Sequence, residues 1–120
     1  MNVDVHVTGV VEQMVLDLLP DATVTWDLDA GGVSAHVEVD GEIVCTAAVP
    51  VDTSARDAVA HVANVAQDAV IERLGEAVPA CPGHPHAAVV RTTTAGVAWA
   101  CPSEGGVIRT YAVPDGAVAH

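Results

Sequence analysis

Two short segments carry the residues whose types and spacing could bind a metal ion. Residues 81–84 read Cys-Pro-Gly-His, and residues 101–105 read Cys-Pro-Ser-Glu-Gly. Each segment begins with Cys-Pro and places a potential ligand, His84 or Glu104, three residues after the cysteine. Zinc prefers four tetrahedral ligands drawn from cysteine, histidine and carboxylate side chains. A hairpin predicted between the two segments would bring them together, so the sequence predicts one metal site in the last third of the chain.

This last third resembles a zinc ribbon, in which two knuckles of the form Cys-Pro-x-Cys-Gly hold the metal. Cys81 and Cys101 match the first positions of the two knuckles, and His84 takes the second position of the first knuckle. Glu104, which is followed by a glycine, takes the second position of the other knuckle, where a carboxylate is an uncommon replacement. The resemblance implies a structural zinc ion, one per chain.

The fourth ligand is left open by this pattern. His86 lies in the same segment as His84, and imidazole suits a thiolate-rich zinc site better than a carboxylate does. The predicted ligand set is Cys81, His84, His86 and Cys101, with Glu104 as the alternative fourth ligand and His120 as a weaker one. Two further states stay open: a ribbon fold that holds no metal, and a disulfide between Cys81 and Cys101.

A second resemblance is to small acidic proteins of actinobacteria and their phages. These proteins end in a Cys-Pro-x-His segment, a hairpin with a tryptophan, and a second Cys-Pro. Here the corresponding features are residues 81–84, Trp99 and residues 101–102. The resemblance implies an accessory or virion role more than any particular reaction.

An α+β fold is predicted to position the site. Alternating apolar and polar residues predict strands at 2–7, 24–28, 33–39 and 42–49, and helical spacing of apolar residues predicts helices at 10–19 and 56–74. Asp40-Gly41 is typical of a tight hairpin turn, and Gly75 is typical of a helix end. The resulting order is β-α-β-β-β-α, which we assign to an α+β domain at residues 1–77.

Residues 78–120 are predicted to form a separate, zinc-ribbon-like β module. Its three strands are expected at 89–93, 96–100 and 107–113. A segment of this size is too small to fold without a disulfide, a metal or another support. The predicted metal site would supply that support.

The charge of the chain limits its partners. The 120 residues include 16 acidic side chains and only four basic ones, so the formal net charge is −12. A chain this poor in cations is not expected to bind nucleic acid or anionic membranes directly. The first residues lack the basic and apolar segments of a secretion signal, and no apolar run is long enough for a membrane span. We therefore expect a cytoplasmic or virion protein that is not secreted.

These observations favour a non-enzymatic structural or protein-interaction component. The sequence has no metalloprotease, nucleophile-elbow, phosphate-loop or dinucleotide motif, so no catalytic residue is predicted. The expected partner is another protein, with a homo-oligomer or a virion assembly as two forms of it. Two alternatives remain at this point: an acidic inhibitor that occupies a nucleic-acid-binding surface, and a small zinc hydrolase.

Overall fold

The computed structural model describes residues 2–103 and 105–119, and its elements confirm the α+β class. Two helices and two three-stranded antiparallel sheets follow one another along the chain. The elements are α1 (Val5–Leu18), β1 (Thr23–Leu28), β2 (Gly32–Val39), β3 (Glu42–Pro50), α2 (Ala55–Leu74), β4 (Val89–Thr92), β5 (Gly96–Ala100) and β6 (Val107–Ala112). All the predicted strands from residue 24 onward are present within a few residues of their expected bounds.

The strand predicted at residues 2–7 is wrong, because α1 begins at Val5. Asp4 is the N-cap of this helix, and its side chain accepts a hydrogen bond from the His6 backbone N–H at 2.8 Å. Val7 and Val11 are both buried and lie one helical turn apart, whereas Val5 is 77% exposed. The helical spacing therefore buries more apolar surface than the alternating pattern would, and it determines the local structure.

The first sheet is a meander in the order β1-β2-β3. Asp40 and Gly41 form the predicted turn between β2 and β3, with φ angles of 53° and 80°. Val33, Ala35 and Val37 of β2 are buried, as are two residues of β3 on the same face, Ala47 and Val49. These small buried residues, together with buried residues of both helices, form the hydrophobic core.

The second sheet has β5 in the centre, between β4 and β6. All five residues of β5 are buried. Gly96 begins this strand, and a Cβ atom there would collide with the carbonyl oxygen of Tyr111 on β6. A glycine is therefore needed for β5 and β6 to approach as closely as they do.

Helix α2 lies between the two sheets and contacts β3, β4 and β5. It begins after Ser54, whose side chain accepts a hydrogen bond from the Asp57 backbone N–H, and it ends at Gly75 in the left-handed conformation. Buried residues from both sheets belong to one core, which includes Val37 of β2 and Val97 of β5. The division of the chain into domains at residue 77 stays a prediction, and the structure adds that the two parts share this core.

Neither of the two helices in the described part of the chain has the length and the apolar character needed to cross a membrane.

Candidate metal centre

The first Cys-Pro segment folds as a tight turn that points two ligands the same way. The backbone N–H of His84 donates to the carbonyl oxygen of Cys81 at 3.0 Å, and Gly83 has a φ of 76°. Proline in the second place and a left-handed glycine in the third are typical of a type II turn. The backbone N–H of Cys81 donates in turn to the carbonyl of His86 at 3.1 Å. Local sequence thus fixes the spacing of the three potential ligands in this segment.

The second Cys-Pro segment forms a similar turn at the end of β5. The backbone N–H of Gly105 donates to the carbonyl oxygen of Cys101 at 2.8 Å, and Gly105 has a φ of 73°. The backbone N–H of Cys101 donates to the carbonyl of Gly106, also at 2.8 Å. These bonds place the Cys101 side chain where β5 ends and the chain turns toward β6.

The two turns bring Cys81, His84, His86 and Cys101 together. One potential ligand atom from each residue lies within 4.8 Å of all the others. Nδ1 of His84 is 3.3 Å from Sγ of Cys81 and 3.4 Å from Sγ of Cys101. Zinc bonds of about 2.3 Å to sulfur and about 2.05 Å to nitrogen give a sulfur-to-nitrogen edge of roughly 3.6 Å in a tetrahedron. The four side chains could therefore hold a metal ion with little movement.

His86 is oriented by groups outside the cluster. Its Nε2 lies 3.3 Å from the hydroxyl of Ser103, in the second turn, and its Nδ1 lies 3.4 Å from the carbonyl oxygen of Ala87. The rings of His84 and His86 are 5.0 Å apart and tilted by 38°. A histidine that binds a metal uses one ring nitrogen and directs the other at such a partner, so His86 would exchange one of these two contacts for the metal and keep the other.

The cluster is enclosed on its sulfur side. Cys81 and Cys101 are 3% and 4% exposed, and the two histidines are half-buried. A shallow groove beside the cluster is lined by Pro82, Val107 and Ile108. The low exposure of the two cysteines limits the access of water and oxidants to their sulfur atoms.

Gln67 of α2 forms hydrogen bonds on both sides of the first Cys-Pro segment. It is the one buried polar side chain of residues 2–103 and 105–119. Its Nε2 donates to the carbonyl oxygen of Val78 at 3.0 Å and to that of Ala88 at 2.6 Å. The two carbonyls flank the ligand-bearing segment, so one side chain fixes both of its ends. Nothing in the sequence distinguishes Gln67 from an ordinary helix residue.

A second group missed by sequence reasoning joins α1 to the second sheet. The carboxylate of Asp17 accepts hydrogen bonds from Nε1 of Trp99 at 3.2 Å, from a guanidinium nitrogen of Arg109 at 2.9 Å and from the hydroxyl of Tyr111. Burial and the hydrogen bond to Asp17 raise the pKa of Tyr111. The contact that could have been found from sequence is the pairing of Trp99 with Arg109, which follows from the predicted β5–β6 hairpin.

The remaining predicted ligands have different outcomes. Glu104 and His120, the alternative fourth ligands, lie outside the described residues. The disulfide between Cys81 and Cys101, kept open as an alternative above, is not formed in the structure. Cys45 lies in β3, where it is half-buried and where burial raises its pKa.

Two thiols and two imidazoles at the corners of one cluster are a typical donor set for zinc. Four protein ligands would fill a tetrahedral coordination shell and leave no position for a substrate or a metal-bound water. No protein-family model, no curated protein and no solved structure matches this chain.

Proposed function

We propose that this chain is a non-enzymatic structural or protein-interaction component whose second sheet is stabilised by one zinc ion. Cys81, His84, His86 and Cys101 would bind the ion. The observation that carries the proposal is the convergence of these four side chains to within 4.8 Å from two separate turns, with His84 and Cys101 17 residues apart in the chain.

The proposed role of the zinc ion is to tie the two turns together. The first turn precedes β4, and the second follows β5 and leads to β6. One ion would therefore link the two chain segments at the open end of the β4–β5 hairpin. β4 has only four residues, and short strands in so small a sheet need an additional stabilising contact. A full set of protein ligands also favours this structural role over hydrolysis, because a catalytic zinc keeps one position open.

Metal analysis of the protein purified under reducing conditions, without chelator, tests the zinc proposal. We expect close to one zinc per chain. Single substitutions Cys81→Ser, His84→Ala and Cys101→Ser are each expected to lower the zinc affinity at least about 100-fold, since even outer-shell changes cost about 10- to 100-fold. Cys45→Ser is the matched control, because Cys45 lies in the other sheet, and it is expected to keep full zinc content.

The fourth ligand is tested by His86→Ala and Glu104→Gln, compared by competition with a zinc chelator. We expect His86→Ala to weaken zinc binding and Glu104→Gln to leave it nearly unchanged. The reverse result would make Glu104 the ligand, as in a ribbon with a carboxylate in its second knuckle. A wild-type protein that contains no metal would refute the zinc proposal as a whole.

An acidic inhibitor is a second candidate, favoured by where the charge lies. Fourteen of the 16 acidic residues, but only two of the four arginines, precede residue 78. Such an inhibitor would present the first sheet and the helices to a basic protein and displace nucleic acid from it. Loss of nucleic acid from a basic protein on addition of this chain, reversed by salt, would support this function over the first one.

A further inference from the structure

The two parts of the chain differ sharply in charge. Residues 1–77 carry the whole net charge of −12. Residues 78–120 contain two acids, Glu104 and Asp115, and two bases, Arg91 and Arg109, which balance. Between residues 105 and 114 there is one arginine and no acid. The second sheet is therefore the region in which two copies of this chain would repel each other least.

Strand β6 is an exposed edge within this neutral region. It pairs with β5 on one side, and no described strand pairs with its other side. Five of its six residues are exposed, including Val107 at 57% and Ile108 at 40%. A strand edge that carries β-branched and aromatic residues, few charges and no proline is suited to pair with another strand.

The hydrogen-bonding pattern shows which backbone groups face outward. The backbone N–H of Val113 donates to the carbonyl of Ala95 on the β5 side. Bonding alternates along an antiparallel pair, so the N–H and C=O groups of Tyr111 also face β5 and those of Thr110 and Ala112 face the open edge. The outward groups of β6 thus remain available to a partner strand.

We propose that β6 pairs antiparallel with β6 of a second copy of this chain and forms a continuous six-stranded sheet. Antiparallel pairing of identical strands produces a closed, two-fold symmetric interface. With Thr110 on the two-fold axis, Arg109 lies opposite Tyr111 of the second copy within the regular part of β6. No two arginines then face each other, and Asp17, which reaches β6 from α1, is already paired with Arg109.

The other sheet edges are less suited to this pairing. β1 carries Asp27, and its flanking turns carry further acids. β3 carries Glu42, ends in a proline, and contacts β2 through an irregular register. β4 has only four residues. Charged residues, prolines and irregular register are the features by which proteins protect strand edges. β6 carries one charged residue, Arg109, and one irregularity, at Ile108 where its pairing with β5 shifts by one residue, and it carries no acid and no proline.

The proposal deepens the proposed function and rests on it in one respect. Val107 and Ile108 begin β6 and line the groove beside the ligand cluster. A bound zinc ion would hold the start of the strand in place and prepare it for pairing. Dimerisation is therefore expected to be stronger in the metal-bound protein than in the chelated one.

Analytical ultracentrifugation over a wide range of protein concentration tests the dimer. We expect the wild-type protein to dimerise and the dimer to become tighter when salt is raised, because salt screens the repulsion between two acidic molecules. Ile108→Lys is expected to weaken dimerisation at least about tenfold, since a charged side chain on a strand edge opposes its pairing with another strand. Ile43→Lys is the matched control, because Ile43 is 55% exposed on the first sheet, and it is expected to leave the dimer unchanged.

A second variant, Thr110→Pro, removes one outward N–H group and keeps the bonds to β5. We expect it to be monomeric with unchanged zinc content. A wild-type chain that is monomeric at all concentrations would overturn the proposal, as would a dimer that persists in both variants. Zinc analysis of the same samples separates the two proposals: a monomer with one zinc refutes only the dimer, and a dimer without metal refutes only the zinc ion.

Discussion

Replacing Gln67 is expected to lower both the stability of the protein and its affinity for zinc. Gln67→Ala would leave the buried carbonyl group of Ala88 and the partly buried one of Val78 without their donor, which costs about 1–3 kcal/mol of unfolding free energy. Zinc affinity is expected to fall as well, because the ligand-bearing segment between these carbonyls would loosen. Urea unfolding and a zinc competition assay would measure the two effects.

The control is Gln13→Ala, since Gln13 is the other glutamine of the chain and is exposed on α1. We expect it to change the unfolding free energy by less than about 0.5 kcal/mol. Equal losses in the two variants would mean that the Gln67 bonds contribute nothing beyond ordinary helix composition.

At the scale of single residues, the sequence predicted the cluster but not its supports. Cys81 and His84 are close in the chain, and Cys101 repeats the same Cys-Pro pattern, so a local rule was enough to relate them. Gln67 forms a hydrogen bond to Ala88, which is 21 residues away in the chain, and Asp17 forms one to Trp99, which is 82 residues away. Contacts of that kind depend on how the helices pack against the sheets. The spacing of residues within one segment of the sequence does not predict this packing.

At the scale of elements, Asp17 is the connection between α1 and the second sheet. Asp17→Asn would replace the charged acceptor of Trp99, Arg109 and Tyr111 by a neutral one, and we expect it to lower the unfolding free energy by about 1–2 kcal/mol. The ion pair itself adds little, because Arg109 is about half exposed. Thermal unfolding followed by circular dichroism would measure the loss.

Asp21→Asn provides the comparison for that variant, since Asp21 is exposed in the turn after α1. It removes the same charge at nearly the same place in the chain. If both variants lower the stability equally, the effect is one of net charge and not of the contacts made by Asp17.

Strands were easier to predict than the start of the first helix. The hairpin of β2 and β3 is marked by alternation and by Asp40-Gly41, and each of these signals supports the other. Residues 3–7 also alternate, yet Val7 fits both a strand and the buried face of a helix. Residues 5–7 are helical because Asp4 caps the helix and because α1 packs on α2. The sequence does not show this packing.

At the scale of the whole molecule, the shared core determines how the protein responds to metal removal. Buried residues of β5 belong to the same core as those of both helices. We therefore expect chelation to increase hydrogen exchange mainly at residues 79–88 and 101–107, which form the two turns, while β5 and α2 keep most of their protection. Mass spectrometry of the exchanged peptides would measure this.

Loss of protection along all of β4, β5 and β6, with the first sheet unaffected, would instead mean that residues 78–120 fold as a separate unit that depends on zinc. Uniform loss over the entire chain would mean that the metal stabilises a single cooperative structure. The Cys81→Ser variant is expected to reproduce the chelated pattern in the presence of zinc.

The burial of Trp99 has an optical consequence. The chain contains two tryptophans, one tyrosine and no phenylalanine, so nearly all of its near-ultraviolet emission comes from two indoles. Trp26 is half-buried on β1, whereas Trp99 is 2% exposed on β5, and Cys101 follows it by two residues, just past the end of that strand. Indole emission shifts to shorter wavelength in apolar surroundings. The molecule therefore carries its own fluorescent probe on the strand that leads into the second Cys-Pro segment, and replacing Trp26 would leave a single main emitter, located on the second sheet.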